Sequence, residues 1–192
     1  MTVRMKLYIG LLALGVLLVG GGLWLLLNRA PVIDIPEGEP VIVMDILFSM
    51  GGEESQLAIY EDGTVIYHED KGLRPPPLPG ESATRTWKKG VLRQDELNSL
   101  IDFFKSVQFD ELDEYYKSPG ASGEGGVISD LYCTISINSG DYNNTVTAFG
   151  YFPPDKISPY PSLPYPLGDI YMELKQIIEN RMEEVYSETI KS

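Results

Sequence analysis

One histidine, His68, and one cysteine, Cys133, bound the side-chain chemistry open to this 192-residue chain. A proton shuttle, an imidazole metal site, a Cys–His pair or a Ser–His–Asp triad would each have to be built on that single imidazole. Neither a Gly-x-Ser-x-Gly elbow nor a Ser-x-x-Lys pair accompanies it, and these are local frames that expose a nucleophilic serine. His68 reads as a strand residue opposite Leu57, structural or exposed rather than catalytic. Cys133 falls between Leu131 and Ile135 in an alternating run. A thiol there behaves as a small apolar group, whereas a thiolate nucleophile needs an electropositive, partly open setting.

Carboxylates are abundant, 28 in all, but glycosidase chemistry needs two of them at a set separation across a cleft, and spacing alone picks out no such pair. The densest acidic cluster, Asp110-Glu111-Leu112-Asp113-Glu114, lacks the Asp-x-Asp-x-Asp-Gly order of a calcium loop. The loop Ser118–Gly126 holds Gly120, Gly123, Gly125 and Gly126 without a Lys or Arg. It leads into a strand rather than a helix, so it does not read as a phosphate cradle. Asn143-Asn144-Thr145 is a formal N-glycosylation sequon beside a turn. No catalytic residue, cofactor or metal ligand is assigned on these grounds. The remaining interaction signal is aromatic and proline-rich. Tyr151, Phe152, Tyr160 and Tyr165, interleaved with prolines, are the candidate partner surface. Pro75-Pro76-Pro77-Leu78-Pro79 is a second extended stretch. Bracing of the domain is the competing reading of both.

The elements that must position these residues begin with a membrane segment. Leu7–Leu27 carries no charge over 21 positions, enough for a helix at about 1.5 Å per residue to cross a bilayer core of roughly 30 Å. A cleaved signal peptide has a shorter apolar region and a small-x-small site; Asn28-Arg29-Ala30-Pro31 is a poor one. Arg4 and Lys6 precede the run, so the positive-inside rule keeps residues 1–6 in the cytoplasm and exports the chain after 27. Without Arg4 and Lys6 the exported part has 13 basic against 28 acidic residues, a net −15. That charge holds the domain off anionic headgroups and argues against a nucleic-acid partner. A 43% hydrophobic content excludes a disordered chain, and a single cysteine excludes an intrachain disulfide.

Residues 28–40 read as a proline-stiffened tether and 41–192 as an extracytoplasmic domain. Val41–Phe48 alternates as a strand with Ile42, Met44, Ile46 and Phe48 on one face and Asp45 on the other. Asp62-Gly63 predicts a two-residue hairpin turn pairing Ile59 with Ile66 and Leu57 with His68. Thr86–Leu92 is a further short strand, and Lys71–Thr84, with its prolines, is unsuited to a central one. Leu97, Leu100, Ile101 and Phe104 predict a helix over 94–107. Leu131, Cys133, Ile135 and Ile137 alternate with Tyr132, Thr134, Ser136 and Asn138, and the chain turns at Ser139-Gly140-Asp141 into Val146 and Ala148. A stripe from Ile170 through Leu174, Ile177, Ile178, Met182 and Val185 predicts a helix from about Gly168 to Thr189. Hairpins with two one-sided helices define an α+β fold in which both helices cover one face of a mainly antiparallel sheet.

Tyr60-x-Asp62-Gly63-x-Val65-x-Tyr67, Glu96-Leu97-x-x-Leu100, Phe109-x-x-Leu112-x-x-Tyr115 and Asp130-x-Tyr132 resemble a recurrent family of uncharacterised extracytoplasmic bacterial α+β domains. The resemblance spans roughly residues 41–150. It implies a fold, and a place behind a signal peptide or anchor, but no activity. The cysteine-containing motif that some members carry before the first hairpin strand is Met50-Gly51-Gly52 here, so no role of that motif carries over. The expectation is a single-pass membrane protein with its C-terminal domain outside the cytoplasm, acting as a binding or scaffold module for an envelope partner. The alternative is a carboxylate-based envelope hydrolase acting on glycan or peptide.

Overall fold

Alternating side chains build eight strands and two helices among the residues described by the computed structural model: 33–48, 53–72, 82–119, 131–151, 154 and 162–191. The strands are β1 (Ile42–Phe48), β2 (Glu53–Ile59), β3 (Thr64–Lys71), β4 (Ser82–Val91), β5 (Tyr115–Lys117), β6 (Leu131–Ser139), β7 (Tyr142–Phe149) and β8 (Met182–Lys191); the helices are α1 (Gln94–Ser106) and α2 (Leu167–Asn180). They form one sheet in the order β5-β7-β6-β1-β2-β3-β4-β8. Every pair is antiparallel except β5 with β7. These strands and helices belong to one compact unit that begins at Ile35. The apolar run 7–27, the proline run 75–79 and most of the glycine-rich loop lie outside the described residues. Among the described residues no helix is long and apolar enough to cross a membrane.

The sheet has two unlike faces. Ile42, Met44, Leu57, Ile59, Val65, Tyr67, Cys133, Ile135, Ile137, Val146 and Ala148 share the first face and one apolar cluster with Leu97, Leu100 and Phe104 of α1 and Leu167, Ile170, Leu174 and Ile177 of α2. Both helices therefore cover that face, giving the two-layer α+β arrangement that an amphipathic stripe demands. Helix α1 starts where the Glu96 carboxylate accepts the Arg93 N–H at 2.9 Å, which satisfies one amide that the helix itself cannot. Arg181, just past the end of α2, donates to the same Glu96 side chain and ties the two helices together.

Three expectations change. The first hairpin closes with a three-residue loop: Gly63 N–H donates to Tyr60 O (3.0 Å) and Tyr60 N–H to Thr64 O (2.9 Å), with Gly63 at φ +85°. This is a type I turn followed by a left-handed glycine, not a two-residue turn. The register moves by one, so Ile59 faces Val65, Leu57 faces Tyr67 and His68 faces Gln56. Such a slip reassigns faces, and it puts Tyr67 in the core and His68 on the far side.

The last helix ends at Asn180, and residues 182–191 leave the helical path to pair with β4. Met182 and Val185 continue the helical spacing only by coincidence. Edge amides and carbonyls of β4 need a partner, and the charges match: Lys88 faces Glu184 and Lys89 faces Glu183. The register shifts between Trp87 and Lys88. Val185 is the extra residue there and is 42% exposed rather than part of a buried stripe. Finally, Ser82–Thr84 belong to β4, an interior strand between β3 and β8, so the end of the 71–84 stretch, beyond its prolines, is sheet.

Candidate functional site

The second face carries the chemistry left over once the helices have covered the first. His68 lies in β3 with Gln56 opposite it on β2 and Trp87 opposite it on β4, its ring 4.3 Å from the Trp87 ring. Its Nε2 is 2.8 Å from Asp70 Oδ1, a close approach without an aligned hydrogen bond. Arg85 grips the same carboxylate with a two-toothed fork, Nε to Oδ1 at 2.9 Å and Nη2 to Oδ2 at 3.0 Å, and reaches Glu188 at 3.6 Å. The Tyr186 hydroxyl donates to Glu188 at 2.7 Å. Asp45, one strand beyond Gln56, accepts from the Gln56 amide at 2.7 Å.

Electrostatics follow from these contacts. Burial pushes the Asp70 carboxyl upward, but the Arg85 hydrogen bonds and the His68 and Arg85 charges outweigh it and hold the group below its usual range. Asp45 moves the other way: burial raises it, and the Gln56 hydrogen bond offsets only part of that. A depressed acid contributes stability that is present above the unfolded carboxylate range and lost as pH falls through the folded value. Asp70→Asn is therefore expected to cost about 1–3 kcal/mol at neutral pH. The gap in Tm between variant and wild type should begin to close as pH drops below the ordinary carboxylate range, about 4, and vanish once the pH has passed the lower value at which folded Asp70 takes up its proton. A gap that stays constant from pH 7 to 2 would show that the Asp70 charge contributes nothing.

The described contacts of His68 are Asp70 and the Trp87 ring, so among the described residues neither the serine of a triad nor a cysteine meets it. Cys133 lies on the opposite face of the sheet, 2% exposed, so a Cys–His pair is geometrically barred. Burial also pushes its thiol up to about 12. Cys133 should resist Ellman's reagent at pH 8 in the native protein and react fully in urea; reaction at equal rates in both would place it at the surface. Among the described residues no three His, Cys, Asp or Glu side chains converge as a metal site.

A second patch of the same face, on β6 and β7, is uncharged. Four cross-strand rungs follow one another: Tyr132 with Phe149, Thr134 with Thr147, Ser136 with Thr145, and Asn138 with Asn143. The aromatic rung has ring centroids 4.7 Å apart, and the Thr134 and Thr147 hydroxyls lie 3.1 Å apart. Ser136, Asn138, Asn143 and Thr145 flank a trough of about 1000 Å³, with Glu39 and Pro40 on one side and Glu114 on the other. Tyr115, 53% exposed, sits beside Thr147 in the parallel β5–β7 pair and so shares this face. The turn at its end has Gly140 at φ +62° in the first central position, the geometry that joins two strands through two residues without splaying them.

The aromatic residues singled out from sequence are placed differently. Tyr151 is half-buried, packed against the core, with its hydroxyl 3.4 Å from Lys117 O. Tyr165 is 77% exposed at the approach to α2. Phe152 and Tyr160 lie outside the described residues. Sequence reading missed Tyr115 because a three-residue parallel strand has no periodicity of its own, and it missed the rungs because strand pairing lines up residues far apart in the chain. The outward alternation of Tyr132, Thr134, Ser136 and Asn138 was the available signal. No protein-family model, curated protein or solved structure matches the chain, so the site is read from its own geometry.

Proposed function

We propose that this chain is a single-pass membrane-anchored extracytoplasmic protein whose acidic α+β domain acts as a binding or scaffold module at the cell envelope. The observation that carries the binding reading is the division of labour between the two sheet faces. Both helices are spent on the first, while the second presents exposed Tyr115 and Tyr132 beside a stripe of uncharged amides and hydroxyls. Polar side chains with two or more hydrogen-bonding sites each, set on rigid strands, are suited to holding a ligand in one orientation. The exposed Tyr165 ring is a further contact for an envelope protein partner. Anchorage rests on the 21 uncharged positions of Leu7–Leu27 and on the basic flank formed by Arg4 and Lys6.

The hydrolase alternative has its best location in a cavity of about 240 Å³ whose lining includes Glu53, Glu54, Glu69 and Glu179 together with Lys88 and Lys175. Glu69 lies 3.0 Å from Lys71, and Glu179 lies 3.3 Å from Lys175, so two of these acids already have cationic partners. Crosslinking in intact cells, followed by mass spectrometry of the captured neighbours, tests the leading reading. Reproducible envelope neighbours crosslinked to second-face residues are the expected result. Their absence, together with hydrolysis of an envelope polymer by the purified protein, would replace the binding module with the hydrolase. Retention of the chain in membranes washed with alkaline carbonate, with Met1 or Thr2 as N-terminus, is expected for the anchor; release, or a mature start at Pro31, would refute it.

A further inference from the structure

We propose that the β6–β7 stripe is a binding platform for a neutral glycan, a chain of uncharged sugar rings lying along the trough. This rests on the binding-module reading and narrows its ligand. Three observations lead there. The side chains of Ser136, Asn138, Asn143 and Thr145 make no hydrogen bond to another described residue, so their donors and acceptors are free for a ligand. Each Asn amide offers donors and an acceptor together, and each hydroxyl does both, which matches a sugar hydroxyl better than it matches a purely accepting anion.

The charge pattern sets the ligand class. Among the described residues no Lys or Arg lines the trough, and the charges that flank it, Glu39 and Glu114, are both carboxylates. Within a chain of net charge −13, a phosphate, nucleic acid or uronic-acid polymer would meet carboxylates along the trough, and the cation at the aromatic end, Lys117 opposite Phe149, is matched by Asp45 opposite Thr134 on the same face. Sugar hydroxyls, in contrast, donate well to carboxylates. Among the described residues the lining includes only Pro40, Val43 and Ile137 as apolar residues, too little for an acyl chain or the apolar face of a helix.

The third observation is the aromatic end. Tyr132, 39% exposed, stacks with Phe149, and Tyr115, 53% exposed, flanks the next rung. The apolar C–H face of a sugar ring laid on such a surface buries area that the amides cannot supply. Asn138 and Tyr132 lie six residues apart on one strand, roughly 20 Å at about 3.4 Å per residue. The platform is therefore long enough for several rings and suits a polymer better than a monosaccharide.

Isothermal titration of the full chain in detergent micelles, with chitohexaose and cellohexaose as neutral probes and hexagalacturonate as the anionic comparison, tests this. Saturable binding of at least one neutral hexasaccharide is expected, with no binding of the anionic one. Tyr132→Ala, and separately Asn138→Ala with Asn143→Ala, should weaken it at least tenfold at unchanged circular dichroism, whereas Asp102→Asn on the exposed side of α1 should leave it unaltered. Absence of neutral-sugar binding at millimolar concentration, a preference for hexagalacturonate, or binding that survives both variants overturns the proposal. The cellular crosslinking separates the two levels. Second-face crosslinks to a protein neighbour without any sugar binding would sink the glycan and keep the module, whereas neither signal would sink both.

Discussion

Gly63→Ala is expected to be among the most damaging single-atom-scale changes available in this domain, lowering stability by about 3–4 kcal/mol. Two independent costs meet at this position. Gly63 holds φ +85°, where a β-carbon costs on the order of 1–2 kcal/mol. A Cβ built there would also lie 2.2 Å from the Leu92 carbonyl oxygen, and Leu92 N–H donates to Gly63 O at 2.8 Å. The loop between β2 and β3 is thus clamped against the junction of β4 with α1, and neither side can give without disturbing the other. Urea or thermal unfolding should show a fall in Tm of roughly 10 °C for a domain of this size. Gly140→Ala is the comparison: it also has positive φ (+62°) but nothing within 4 Å of the new carbon, so it should cost only the conformational part, about 1 kcal/mol. Equal losses in the two variants would show that close approach to Leu92 has no energetic consequence.

Phe104→Ala is the second large effect, about 3–5 kcal/mol. Phe104 is fully buried on the core face of α1 and meets Phe109 edge to face, 5.1 Å between centroids at 74°. Removing it costs the transfer free energy of the ring and leaves a void that the surrounding helix and strands fill only in part. Its backbone carbonyl also accepts the Tyr142 hydroxyl at 2.8 Å, so a shift of α1 would strain the tie to β7, whose outer face carries half of the uncharged stripe. Phe103→Ala, one residue earlier and only half-buried, should cost clearly less. If chemical denaturation ranks Phe103 at or above Phe104, α1 is rotated from the orientation described here.

Both effects bear on how much could be read without coordinates. The inward faces of β1 and β6 follow from the order of apolar and polar residues, because a strand offers only two directions for a side chain. The span of α1 is equally local: Leu97, Leu100 and Phe104 share a stripe and are buried. The hairpin at Gly63 is where local reasoning went one residue astray. Asp62-Gly63 fits a two-residue turn, yet the Asp62 carboxylate accepts the Thr64 N–H at 2.8 Å, and Leu92 packs against Gly63. Those contacts favour the longer loop, and the pairing of every residue in β3 follows from it.

The amino-acid order by itself determined an acidic α+β domain, the buried and outward faces of its clearest strands, and that any imidazole or thiol chemistry rests on His68 and Cys133 alone. Tertiary structure alone decided that residues 182–191 form a strand, since Lys88 and Lys89 of β4 face Glu184 and Glu183 across almost a hundred residues of chain. It also decided that His68 and Cys133 lie on opposite faces of the sheet, and that Tyr115 joins the stripe of Asn138 and Asn143. The physical reason is common to all three. Periodicity reports what a residue does relative to its own backbone, whereas register and strand order are set by which hydrogen-bonding edge the rest of the fold leaves unpaired.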